Sequence, residues 1–111
     1  MEAPFNPDEI FAKVSAAGDR WADAKAAYEA LDDNTKSVLA DITSSFLDGT
    51  KCSRAEAEMR ALSSGDYKTH LASVSRARKE WLKAQVAYDS LKMLAEHRRS
   101  QESTRRAEMR L

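Results

Sequence analysis

Two stretches decide the fold: VSAAGDRWADAKAAYEAL at residues 14–31 and VSRARKEWLKAQVAYDSL at residues 74–91. They lie 60 residues apart and share eight of 18 positions. Val14-Ser15, Ala17, Trp21, Ala24, Ala27, Tyr28 and Leu31 recur as Val74-Ser75, Ala77, Trp81, Ala84, Ala87, Tyr88 and Leu91. Around them the apolar spacing alternates between three and four, the period of a helical face that packs on another helix. One seam runs Ile10, Val14, Ala17, Trp21, Ala24, Tyr28, Leu31, Thr35, Val38 and Ile42. The other runs Tyr67, Val74, Ala77, Trp81, Ala84, Tyr88, Leu91 and Ala95. Tryptophan and tyrosine act as large knobs and the alanines as shallow positions that receive them.

Outward from these seams, the punctuation predicts three helices. Asn6-Pro7-Asp8-Glu9 reads as a helix start, with Asn6 as N-cap, Pro7 in the first turn and a Phe5–Ile10 staple. Asp48-Gly49-Thr50 reads as a stop, with Gly49 suited to the left-handed C-terminal conformation. Ser53-Arg54-Ala55-Glu56 is a second capping box, and Ser63-Ser64-Gly65 a second stop. The expected helices cover about 7–48, 53–63 and 66–108. Asp32-Asp33-Asn34-Thr35 is a weak point in the first, since these side chains compete for backbone hydrogen bonds.

The expected fold is therefore all-α. It is an elongated antiparallel hairpin, coiled-coil-like, in one domain over residues 1–111, with a short connecting helix and a turn at 50–65. That turn would put Tyr28 near Tyr88, Trp21 near Ala95, and Trp81 near Thr35 and Val38. An alternative architecture pairs the repeat between two chains, as a homodimeric bundle.

Composition narrows the function classes. The 111 residues hold 18 Lys plus Arg and 18 Asp plus Glu, for no net charge. Three glycines, two prolines and one cysteine exclude collagen-like and disulfide-stapled classes. No apolar run reaches the length of a transmembrane helix, and no secretory leader is readable, so the expected location is cytoplasmic. The charge is uneven. Residues 1–49 carry ten acidic and four basic groups, whereas residues 50–111 carry 14 basic and eight acidic. The halves either complement one another or leave the basic one for an anionic partner.

Catalytic and metal-binding patterns are missing. Asp66 and His70 stand four apart and read as a helix-surface ion pair; two ligands do not make a zinc site. Cys52 sits in a turn with no base placed to activate it. No phosphate-cradling glycine loop occurs. The expectation is a non-enzymatic protein with no cofactor, no metal, no membrane association and no small-molecule substrate.

Two features exceed the needs of a hairpin. Leu82, Val86 and Met93 fall on the face opposite the Trp81–Tyr88 seam, and are candidates for partner binding or dimerisation. The connecting helix folding back over that face is the alternative. The second feature is the arginine-rich tail. Arg98, Arg99, Arg105, Arg106 and Arg110 are candidates for neutralising nucleic-acid phosphates, although no aromatic residue stands among them to stack bases. Glu102 and Arg106, four apart, also suit an ordinary helical pair.

The W-x-x-A…A-Y-x-x-L pattern, the S-R-A-E-A-E turn helix, A-Y-D-S-L-K and the closing R-R-S-Q-E-S-T-R-R-A-E-M-R-L resemble small helical accessory proteins of tailed bacteriophages and prophages. That resemblance implies a protein acting in the host cytoplasm on a host or phage protein, against a host defence or beside DNA metabolism. It supplies no catalytic residues. Nucleic-acid binding through the arginines and a structural or scaffold role are the alternatives.

Overall fold

The structure is a computed structural model that describes residues 7–110. Among them are four helices and no strand: α1 (Pro7–Asp33), α2 (Thr35–Gly49), α3 (Arg54–Leu62) and α4 (Gly65–Met109). The Asn6 cap and the Phe5 half of the expected staple lie outside the described residues. Asp8 and Glu9 do occupy the first turn of α1, where they complement the helix dipole.

The expected first helix is two. The junction is a single turn residue, Asn34, with φ −81° and ψ −6°. Its backbone stays close to helical, because Asn34 N–H donates to Ala30 at 3.2 Å and Val38 N–H to Asn34 at 3.0 Å. Thr35 Oγ1 donates back to the Leu31 carbonyl at 3.3 Å, a bond that bends helices.

The stop after α2 uses different chemistry from that expected. Gly49 is the last residue of the helix, and no glycine among the described residues has a positive φ. Instead Thr50 turns extended (φ −146°, ψ 151°), and its hydroxyl donates to the Phe46 carbonyl at 2.7 Å. Thr50 N–H reaches the same carbonyl at 3.1 Å. The Ser53 cap holds as read, with Glu56 N–H donating to Ser53 Oγ at 3.2 Å. Ser64 performs the same service for α4 through Tyr67 N–H at 3.2 Å. It also ties α4 to α3, its hydroxyl donating to Ala61 at 2.6 Å.

The chain divides into two units, one of Met1–Asp23 with Trp81–Leu111 and one of Ala24–Glu80. In the first, Ile10 and Ala17 are buried and Val14, Trp21, Trp81, Ala84, Tyr88, Leu91 and Ala95 are half-buried. The indole nitrogens of Trp21 and Trp81 are shielded from solvent. The two segments run antiparallel: Trp21 and Gly18 meet Tyr88, while Ile10 and Val14 share a groove with Ala95 and Arg99.

In the second unit, Ala57 and Ala61 of α3 are fully buried and Thr43 of α2 nearly so. Thr43 Oγ1 is satisfied by the Leu39 carbonyl at 2.8 Å. The connecting helix packs on α2 through this small-residue face. Seam positions Tyr28, Leu31, Thr35, Val38, Ile42, Tyr67, Val74 and Ala77 are half-buried, as the period requires.

The register differs from expectation in both units. Tyr88 meets Trp21 and Gly18 rather than Tyr28, and Thr35 meets His70 rather than Trp81. The reason lies at the reversal. α3 already runs back along α2, so the chain turns in the 50–53 gap between these helices rather than across 50–65. Thr35 and His70 are equidistant in sequence from the Cys52–Ser53 bond. Gly18 and Tyr88 are equidistant from Ser53.

Candidate docking surfaces

The packing of the first unit sets which way each face of α4 points. The Trp21 and Tyr88 rings lie 5.9 Å apart and tilted by 31°, a favourable aromatic geometry. Lys92 Nζ lies 4.5 Å from the Tyr88 centroid, within cation–π reach, and 3.6 Å from Asp89. Gly18 permits this arrangement. A Cβ at that position would stand 3.2 Å from Tyr88 Cε1. The sequence reading did not single out Gly18; an isolated glycine on a helix seam was its only signal.

With Trp81, Tyr88 and Leu91 turned inward, Leu82, Val86 and Met93 are left outside. They are 44, 66 and 69% exposed. At 100° per residue they span about 40° of α4, roughly opposite the seam. The connecting helix uses its buried alanines on α2.

The arginine tail is placed more selectively. Arg99, Arg105, Arg106 and Arg110 line one groove of about 930 Å³ between the start of α1 and the end of α4; Arg98 does not. Pro7, Ile10, Phe11, Val14, Ala95 and Ala107 supply the groove's apolar surface. Phe11 was not foreseen. It sits beside Ile10 and off the 3–4 seam, and 74% of it is exposed. Glu96, Glu102 and Lys92 also line the groove. Glu102 pairs with Arg106 at 3.8 Å, as its spacing suggested. The groove thus brings an aromatic ring to the tail.

His70 is not the surface residue of the sequence reading. It fills the gap in the second seam between Tyr67 and Val74, with Nε2 2.9 Å from Thr35 Oγ1. Thr35 Oγ1 and His70 Nε2 share one hydrogen bond, with the ring tautomer setting which of them donates. Cys52 is half-buried, with its thiol directed at the Phe46 carbonyl 3.9 Å away. Among the described residues no group of three or more His, Cys, Asp or Glu could hold a metal ion. None of the described helices is long and apolar enough to cross a membrane.

No family model, no curated protein and no solved structure matches the chain.

Proposed function

We propose that the protein is a docking module, without catalysis of its own, that holds another protein against the outer face of α4. The observation that carries this reading is the Leu82–Val86–Met93 stripe, three large apolar side chains left in water by a seam already filled from the other side. Burying each would gain on the order of 1–2 kcal/mol. A helix laid along the stripe meets anchors four and seven residues apart, the spacing of helix-in-groove recognition. Ion pairs such as Lys13–Glu9, Lys25–Glu29 and Arg106–Glu102 join residues four apart within one helix and remain largely open to solvent. They add little to stability, so apolar contact is the stronger term available to a partner. The resemblance to phage accessory proteins suggests a host or phage protein as that partner, met in the host cytoplasm.

The test is site-specific photo-crosslinking in bacterial cells, with a benzophenone side chain at Val86. A discrete adduct with one other protein is expected, lost when Leu82 and Met93 become Glu. The same probe at Ala72, exposed on the preceding part of α4, serves as control. Absence of any adduct at 86, or equal adducts at 72, removes the reading. An adduct with the chain itself, together with a doubled solution mass, makes the partner a second copy.

A further inference from the structure

We propose that the groove between the start of α1 and the end of α4 binds an acidic amphipathic helix of a partner protein. This surface is separate from the Leu82–Val86–Met93 stripe, and each stands or falls without the other.

Charge fixes the sign of the occupant. Among the described residues, five cationic side chains line the groove against two carboxylates, Glu96 and Glu102. Arg106 shares its charge with Glu102. Among the described residues, Arg99, Arg105 and Arg110 have no such ion pair, so their forked donors are available to carboxylates. A second copy meeting this one groove to groove is disfavoured, because two such basic rims would repel one another.

The floor fixes its class. Ile10, Phe11 and Val14 of α1 face Ala95 and Ala107 of α4 across a volume of about 930 Å³. Phe11 is the exposed large apolar residue of this floor, and such surface is matched by Leu, Ile or Phe side chains on one face of a helix. A nucleic acid fits less well on two counts. Its phosphates carry one sign throughout, so Glu96 and Glu102 meet repulsion that a protein helix avoids by setting a Lys or Arg there. Among the described residues, Phe11 is also the single aromatic ring in the lining, where stacking of successive bases uses several.

The experiment uses the full chain and fluorescence anisotropy at 150 mM salt. The probe is an 18-residue peptide with Leu at helical spacing on one face and Glu on the other. A peptide of the same composition with the pattern scrambled and a 20-nucleotide single-stranded DNA are the controls. The patterned peptide is expected to bind at least tenfold tighter than the scrambled one. Phe11→Ala should weaken it about fivefold, and Arg99→Glu with Arg110→Glu should abolish it. Leu82→Glu should leave it unchanged. Circular dichroism checks that each variant is folded, and Arg99→Gln keeps the test alive should the charge reversals unfold. No binding, equal binding of the scrambled peptide, or indifference to Phe11→Ala overturns the proposal. So does DNA binding tighter than that of the patterned peptide, which would give the groove to nucleic acid.

Discussion

Residue 18 must be nearly empty for Tyr88 to lie where it does. An alanine there has two opposed effects. It favours the helix by about 1 kcal/mol over glycine, and it forces the ring to retreat by a few tenths of an ångström from a 3.2 Å approach. We expect Gly18→Ala to change stability little in the natural chain, and to stabilise a Tyr88→Ala background by about 1 kcal/mol. A thermal-denaturation double-mutant cycle measures both, and equal effects in the two backgrounds would contradict the packing described. Individual residues also show where sequence reading stops. His70 stood on the seam by simple counting, yet its chemistry drew attention to Asp66 four residues away. Phe11 gave no periodic signal because it belongs to a groove wall. The arginines were visible as a cluster, but selecting Arg99, Arg105, Arg106 and Arg110 over Arg98 took the azimuth of α4.

Among the elements, membership of the helices and their inward faces was legible and register was not. A three-four repeat shows which positions face inward and repeats after every seven residues, so sliding one arm along the other preserves much of the pattern. What selects the register is local: the Thr50 hydroxyl that closes α2, the Ser53 cap that opens α3, and the two alanines that let α3 lie on α2. These contacts have measurable weight. Ser53→Ala is expected to cost about 1 kcal/mol by removing the acceptor for Glu56 N–H. Asn34→Ala should act in the opposite sense, gaining about 0.5 kcal/mol, because the backbone there is already near-helical and the side chain makes no capping bond. Chemical denaturation of the two variants tests the pair of signs. A neutral Ser53→Ala would mean that the α2–α3 reversal is held by packing alone.

Over the whole molecule, the lack of net charge conceals an acidic first half and a basic second half, and the ion pairs named above satisfy some of those charges within single helices. The interior is equally thrifty. No large side chain is fully buried among the described residues, and α4, 45 residues long, contains half-buried side chains but none that is fully buried. Protection should follow that distribution, since local opening is cheapest where few apolar contacts are lost. Amide exchange in the free protein is expected to be faster along α4 than across Ala57–Ala61. Equal protection in the two regions would show that α4 is held more firmly than its burial indicates. The arrangement bears on turnover as well. A long helix whose seam side chains are only half-buried opens to proteases at modest cost, so, given the docking role proposed above, a cell should clear chains that find no companion and retain those that do. Its abundance would then be set by what it clasps rather than by how fast it is made.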